Sequence, residues 1–322
     1  MARLKVLVRR RLPDAVEARM RALFDAELNT DDGGMDGDAL EAAVRGCDAL
    51  VPSVAEPVDA ALIGAAGPGL RLIANFGVGV DNIDLEAARA RGIAVTNTPG
   101  VLTEDTADVA LALILMAARR LGAAERALRA GSWRGWGPTD RLGTSLTGKR
   151  LAIVGLGRIG QALARRAQAL GMGVDYHNRR RLDGEAEAGL GVRYRPALDV
   201  MLAEADVVSL HTPYTAETHH LLDGRRLGLM RRDAFLINTA RGAVVEEGAL
   251  IAALETGAIA GAGVDVYANE PHVDPRLLAL ENVVLLPHVG SATVETRTAM
   301  GMKVVENLLA FAEGRELPDR VV

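Results

Sequence analysis

Short runs of valine, isoleucine and leucine alternate from end to end with longer segments rich in alanine, arginine and glutamate. This alternation is the pattern of parallel α/β architecture, because parallel strands need a crossover long enough to hold a helix. In the first part of the chain, buried strands are expected at Lys5 to Val8, Ala49 to Val51, Leu72 to Ala74 and Ile93 to Thr96. Helices such as Asp14 to Phe24 and Asp38 to Arg45 separate them. A second series follows Gly148-Lys149: Leu151 to Val154, Val174 to His177, Val207 to Leu210, Phe235 to Asn238, Gly263 to Val266 and Val283 to Leu286. The expected fold class is α/β, with two doubly wound parallel-sheet (Rossmann-like) domains. With 322 residues there is room for two domains of about 150 each.

Net charge is −5, and the 34 arginines and 3 lysines are scattered among acids and alanines rather than gathered on a basic face. Nucleic acid is therefore not an expected partner. Cys47 is the only cysteine, which leaves no disulfide within the chain and no cysteine-based metal site, so no metal is expected. A reducing, cytoplasmic location fits that usage. The opening Met-Ala-Arg-Leu-Lys-Val-Leu-Val-Arg-Arg reads as a first strand rather than a signal peptide. The longest apolar stretch, Val109 to Ala118, falls far short of the roughly 18 residues a membrane helix needs.

Between the two series, Thr103-Glu-Asp-Thr-Ala-Asp precedes a long apolar helix to Arg120. A hydroxyl there can cap the helix, and acids in its first turn complement the helix dipole. Such a helix suits packing between domains or subunits. Gly131-Ser-Trp-Arg-Gly-Trp-Gly-Pro holds both tryptophans and has the composition of an ordered loop.

The glycine pattern Val154-Gly155-Leu-Gly157-Arg158-Ile159-Gly160 follows a predicted strand and opens a helix running to Leu170. That is the context a dinucleotide fingerprint requires: Gly155 for the tight turn, Gly157 for approach of a pyrophosphate, Gly160 for close helix-to-strand packing. The helix N-terminus then faces the phosphates. The next strand ends at Tyr176-His177-Asn178-Arg179-Arg180-Arg181, where an NAD-dependent protein usually carries an acid for the ribose 2′-hydroxyl. Loss of the acid and gain of Arg179 and Arg180 beside Asn178 favour the 2′-phosphate of NADP, since each charge pair at about 4 Å is worth roughly 4 kcal/mol before exposure is discounted. NADP(H) is the expected cofactor, with NAD(H) also usable. The competing view is that the arginines only solvate a loop and that Asp175 is the ribose acid.

Three further motifs stand at or just beyond predicted strand ends, where ligands bind in open α/β sheets. They are Ile237-Asn-Thr-Ala-Arg241-Gly242, Val264-Asp265-Val-Tyr-Ala-Asn-Glu270-Pro271 and Leu286-Pro287-His288-Val-Gly290-Ser291. Reduction of a 2-keto acid needs a cation for the carboxylate and carbonyl, a hydride source and a proton donor for the developing alkoxide. Arg241 supplies the bidentate fork. His288 is the natural acid, because imidazole titrates near neutrality. Glu270 can orient the ring and favour its charged form. Each residue alone has a bland reading, as a surface ion pair, a loop residue or a structural histidine; their joint placement makes a reduction apparatus. In the first series, Asn75-Phe76-Gly77-Val78-Gly79-Val80-Asp81 forms a glycine-rich turn after a strand, whose amides can cradle a small carboxylate. If that turn faces Arg241, the active site lies in the cleft between the two domains.

These motifs, in this order and over nearly the whole chain, resemble the D-isomer-specific 2-hydroxyacid dehydrogenase family. Trp133-Arg-Gly-Trp136 and Tyr-His-Asn-Arg look like its glyoxylate and hydroxypyruvate reductase branch. The resemblance implies a discontinuous substrate-binding domain, residues 1–100 plus 290–322, around a cofactor domain of residues 101–289, and a homodimer built through the cofactor domain. It implies catalytic roles for Arg241, Glu270 and His288. It implies substrate-carboxylate contacts from the Val78 and Gly79 amides, and a cofactor lining of Thr106, Arg158, Ile159, Thr212, Pro213, Thr239, Ala240, Asp265, His288 and Gly290. Family members place a tryptophan at the partner's active site, and Trp136 is the candidate, packing being its other possible use. Glu270 stands where formate dehydrogenases of the superfamily carry glutamine, which argues against formate.

The expected activity is NADPH-preferring reduction of glyoxylate or hydroxypyruvate to the D-2-hydroxy acid. The nearer rivals are an aryl-pyruvate reductase or a phosphoglycerate or phosphite dehydrogenase. The rival from another class is a dinucleotide-sensing corepressor, which the intact trio does not exclude.

Overall fold

The computed structural model describes residues 3–30, 33, 35 and 37–322. The chain divides into two compact units, one made of Met1–Leu102 and Ser291–Val322, the other of Thr103–Gly290.

In the first unit, among the described residues, five parallel strands take the order β2-β1-β3-β4-β5. They are β1 (Lys5–Val8), β2 (Asp25–Leu28), β3 (Ala49–Val51), β4 (Leu72–Ala74) and β5 (Ala94–Thr96). The inner strands β3 and β4 are apolar at every position because helices cover both faces of the sheet. Val6, Val8, Leu72 and Ala74 pack with Val16 and Met20 of helix Asp14–Leu23 and with Val304 and Leu308 of helix Val294–Ala312. Leu7, Leu50 and Ile73 face the opposite way, against Leu40, Val44 and Leu62, as the two-residue strand period requires. Strand β2 is absent from the sequence expectation. It is an edge strand whose Asp25 and Glu27 face solvent, so it lacks the continuous apolar run that marks a buried strand, and its charges protect the open edge.

The second unit holds seven parallel strands in the order β12-β11-β10-β9-β6-β7-β8. Their spans are β6 (Arg150–Val154), β7 (Gly173–His177), β8 (Arg193–Tyr194), β9 (Val207–Leu210), β10 (Phe235–Asn238), β11 (Gly261–Val264) and β12 (Val283–Leu285). The helix Thr103–Ala118 begins at Thr103 itself and lies on this unit's own sheet. Its Ala107, Ala110, Leu113, Ile114 and Ala117 share a core with Ile153, Tyr176 and Ile237. Leu113 and Ile114 are fully buried, which stabilises the unit by about 1.5–3 kcal/mol each relative to exposure.

That packing corrects one boundary. Strand β11 is Gly261–Val264, two residues earlier than Gly263 to Val266, because small residues rather than large ones form it. A Cβ on Gly263 would stand 2.9 Å from the Cβ of Leu113, so the helix sits almost on the strand backbone. Asp265 consequently lies just past the strand, at its carboxyl end. The two-residue edge strand β8, Arg193–Tyr194, is too short and polar to carry a hydrophobic signal.

Among the described residues no helix is long and apolar enough to cross a membrane, and no group of three or more His, Cys, Asp or Glu is placed to hold a metal ion. Cys47 is buried, and burial pushes its thiol up to about 12, which keeps it protonated.

Candidate active site

Strand order in the second unit decides the order of the loops along the carboxyl edge of the sheet. The loops after β12, β11 and β10 carry His288, Glu270 and Arg241; those after β9, β6 and β7 carry Thr212, the glycine turn and the arginines. His288, Glu270 and Arg241 therefore come from the ends of three adjacent strands. The β9/β6 boundary, where connections diverge to opposite sides, holds the glycine turn.

His288 Nδ1 lies 2.7 Å from Glu270 Oε2. The other oxygen, Glu270 Oε1, accepts the Tyr267 N–H at 3.0 Å, so the carboxylate is fixed from both sides. Burial pushes the Glu270 carboxyl up, but the hydrogen bond and charge of His288, the Tyr267 amide and the nearby Arg241 together hold it below its ordinary value. Glu270 is therefore held as a carboxylate against the ring. With Nδ1 engaged, Nε2 is the nitrogen left to face a substrate.

His288 itself sits at φ +52, in the left-handed region where a non-glycine residue is held at a cost of about 1–3 kcal/mol. Asp265 holds it there. This buried carboxylate accepts the Val289 N–H at 2.7 Å and the Gly290 N–H at 2.8 Å. Burial raises the Asp265 carboxyl, against the lowering by those two amides and His288. Thr106 Oγ1 donates to Gly290 O at 3.1 Å. Thr106, Asp265 and Gly290, all expected to line a cofactor, thus form a clamp behind His288.

Arg241 is half-buried at the start of the Gly242–Val244 turn, with Nη1 donating to Ala240 O at 2.8 Å. Asn238, buried at the end of β10, shapes that turn: its Nδ2 donates to Arg241 O at 2.9 Å and its Oδ1 accepts the Ala240 N–H at 3.0 Å. Gly242 then presses on the neighbouring loop, where a Cβ would meet Tyr267 C at 1.9 Å. This backbone contact ties the loop of Arg241 to the loop of Glu270.

At the glycine turn, Gly155 has φ +96 and no room for a side chain, a Cβ lying 2.8 Å from His211 C and Thr212 N. A Cβ on Gly160 would lie 2.6 Å from Gly155 O, whereas one on Gly157 would meet nothing within 4 Å. Gly157 stands at the N-terminus of helix Arg158–Ala169, with Arg158 exposed and Ile159 half-buried in its first turn. The hydroxyls of Thr212 and Thr239 are buried with no hydrogen-bond partner among the described residues, and Pro213 is exposed beside them. Orphaned hydroxyls at two strand ends and an open backbone at a helix N-terminus fit a dinucleotide. His211, under the turn, bonds Ser209 Oγ at 2.8 Å, and burial takes its imidazole down to about 4, so it adds no charge there.

Strand β7 ends at His177, and Asn178 Oδ1 accepts the Leu156 N–H at 2.6 Å, binding the next loop to the glycine turn. Asp175 is unavailable as a ribose ligand: it is buried within the strand and held by Arg193 at 2.9 and 2.7 Å. Arg179 and Arg180 are exposed. Glu217 lies near enough for the Arg179 charge to help lower its carboxyl, after its Thr215 and backbone hydrogen bonds.

In the other unit, buried Asn75 donates to Gly79 O at 2.7 Å, and Asn97 donates to Val78 O at 2.8 Å. The carbonyls of this turn are thereby occupied, while the amides of Val78 and Gly79 donate to no described residue. Trp136 is 85% exposed and so finds little cover in its own chain, whereas Trp133, 54% exposed, is partly covered.

Sequence reasoning overlooked Asn238, Tyr267 and the clamping use of Asp265. An Asn at the end of a buried strand, two residues before an Ala amide, is the available sign of an Asx-type turn. Tyr267, whose hydroxyl donates to Leu286 O at 2.8 Å, gives no sign until β11 and β12 are known to be neighbours.

Comparison with known proteins places this geometry. Residues 111–290 match the model for the D-isomer specific 2-hydroxyacid dehydrogenase, NAD binding domain. The glyoxylate reductase of Thermococcus litoralis is 48% identical over 322 residues, covering 99% of this chain and 96% of that one. A solved protein of Thermus thermophilus is 48% identical with TM-score 0.91, covering 99% of this chain and 100% of the other. The NADPH-dependent glyoxylate/hydroxypyruvate reductase of Sinorhizobium meliloti, solved with NADP and malonate, is 39% identical with TM-score 0.88, covering 100% and 97%. The chain belongs to the D-isomer specific 2-hydroxyacid dehydrogenase family. Its second unit is the domain that takes the nicotinamide dinucleotide.

Proposed function

We propose that the protein reduces a small 2-keto acid, glyoxylate or hydroxypyruvate, to the D-2-hydroxy acid, with NADPH preferred over NADH. The observation that carries this reading is the His288–Glu270 pair at 2.7 Å, with Arg241 on the next strand end of a dinucleotide-binding sheet. The names and cofactor of relatives at 39–48% identity support the substrate class.

When bound, the reduced nicotinamide would supply the hydride. Arg241 binds the substrate carboxylate and draws charge toward the carbonyl oxygen. The Val78 and Gly79 amides, which donate to no described residue, suit a small carboxylate. His288 Nε2 donates the proton to the oxygen at C2 as it becomes an alkoxide. Glu270 keeps the ring oriented and stabilises the imidazolium before transfer. Thr212 and Thr239 would hold the dinucleotide through hydroxyls that have no partner among the described residues. Exposed Leu121, Leu128, Trp133, Trp136 and Leu142 support a homodimer formed through the second unit, with Trp136 reaching the partner's substrate. On this reading the enzyme works in the cytoplasm.

NADPH preference rests on Arg179 and Arg180, exposed at a strand end that carries no acid, with Asp175 committed to Arg193. Arg179→Asp is expected to raise the KM for NADPH by roughly 10-fold or more, one lost charge contact to phosphate at about 1.5–3 kcal/mol, and to improve NADH relative to it. Steady-state kinetics with both cofactors checks this, and an unchanged ratio would show that the arginines face elsewhere.

A further inference from the structure

The loop that carries Arg179 and Arg180 is anchored at both ends, by side chains that lie outside the Gly155–Gly160 turn. At its start, Asn178 is tied through Oδ1 to the Leu156 amide and through its carbonyl to the Tyr194 hydroxyl at 3.2 Å. At its end, Arg181 makes a bidentate pair with Glu187, Nε at 2.8 Å and Nη2 at 2.6 Å. The Arg181 guanidinium also lies over the Tyr194 ring, 5.5 Å from its centroid. Tyr176, wholly buried in β7, donates its hydroxyl to Glu187 Oε1 at 2.5 Å and accepts the Leu182 N–H at 2.9 Å. Glu187 is a side chain only 9% exposed, which makes it a pivot inside the unit and not a surface ion-pair partner. Its carboxyl is held down to about 2, first by Arg181 and then by Tyr176.

Three consecutive arginines thus divide their labour. Arg181 has two donors on Glu187 and its face on Tyr194; Arg179 and Arg180 are exposed between the two anchors. A bidentate guanidinium with both partners fixed loses little freedom further, whereas two exposed arginines on a slack loop would have to be ordered by each phosphate they bind.

We infer that Glu187, Tyr176 and Arg181 form a positioning clamp that holds Arg179 and Arg180 for the 2′-phosphate of the cofactor, Arg181 acting on the loop and not as a phosphate ligand. This inference rests on the NADPH reading above. It predicts that discrimination between phosphorylated and free ribose depends on a residue, Glu187, whose own charge has the wrong sign to bind phosphate.

The test is calorimetric binding of adenosine 2′,5′-bisphosphate and of AMP, which lacks only the 2′-phosphate, to the intact protein. Wild type, Arg179→Asp, Glu187→Gln, Tyr176→Phe, Arg181→Ala and the Glu187→Gln/Arg181→Ala double variant are compared, with circular dichroism reporting the fold. Wild type is expected to favour the 2′-phosphate, and Glu187→Gln to lower that preference roughly 10-fold. Tyr176→Phe, which keeps the buried ring, is expected to lower it in the same direction. Arg181→Ala should add little to Glu187→Gln, because both remove the same clamp. The inference is overturned if Glu187→Gln and Tyr176→Phe keep the wild-type preference while Arg179→Asp abolishes it. It is equally overturned if both ligands weaken in parallel, or if the losses from Arg181→Ala and Glu187→Gln multiply, since Arg181 would then bind phosphate directly. Wild type without any preference, and Arg179→Asp without effect, would instead bring down the NADPH reading and the clamp's purpose with it.

Discussion

Replacing His288 with alanine is expected to lower kcat by roughly 10² to 10⁴, the usual contribution of a positioned general acid, while the affinity for dinucleotide changes little. The imidazole is held by Glu270 at 2.7 Å, and its backbone is fixed by the amides that Asp265 accepts from Val289 and Gly290. On the proposed mechanism, removing the ring deletes the proton donor without releasing the loop. Pre-steady-state measurement of hydride transfer, alongside cofactor titration, separates the two effects. Turnover within a factor of a few of wild type would remove His288 from the chemistry.

Gly242→Ala is expected to have an effect of comparable size by a different route. A Cβ there would meet Tyr267 C at 1.9 Å, an overlap that only backbone movement relieves, and overpacking of this kind costs about 1–3 kcal/mol or more. The two loops pushed apart carry Arg241 and Glu270. A displacement of about 1 Å in such groups costs roughly 10²-fold in rate, so kcat/KM should fall by about that factor, with Tm lowered by several degrees. Calorimetric melting together with kinetics checks the prediction. Wild-type kcat/KM in a folded Gly242→Ala variant would show that the loops reach their geometry independently.

The two-unit α/β fold was legible because buried parallel strands are nearly pure apolar runs, and β1, β3, β4, β9 and β10 coincide with the runs expected. What escaped was whatever departs from that composition for a packing reason. Strand β2 shows its acids to solvent, and β8 has only two residues. Strand β11 gives up side chains so that helix Thr103–Ala118 can lie close. The site followed the same division. Residues proposed to face a ligand, such as Arg241, Glu270, His288 and the turn of Gly155 to Gly160, stand out by type and spacing. Residues that hold those groups in place do not, because their partners come from other strands. Asp265 reaches Gly290 across 25 positions, and Thr106 reaches it across 184. Only the strand order β12-β11-β10-β9-β6 makes them neighbours.

The most direct measurement of the central claim is steady-state oxidation of NADPH and of NADH by the purified protein with glyoxylate, hydroxypyruvate and phenylpyruvate, each over a range of concentrations. Efficient NADPH-linked turnover of glyoxylate or hydroxypyruvate, with phenylpyruvate poor and NADH weaker, is the predicted result. Turnover with NADH alone would contradict the role given to Arg179 and Arg180, and no turnover of any keto acid would contradict the reductase itself.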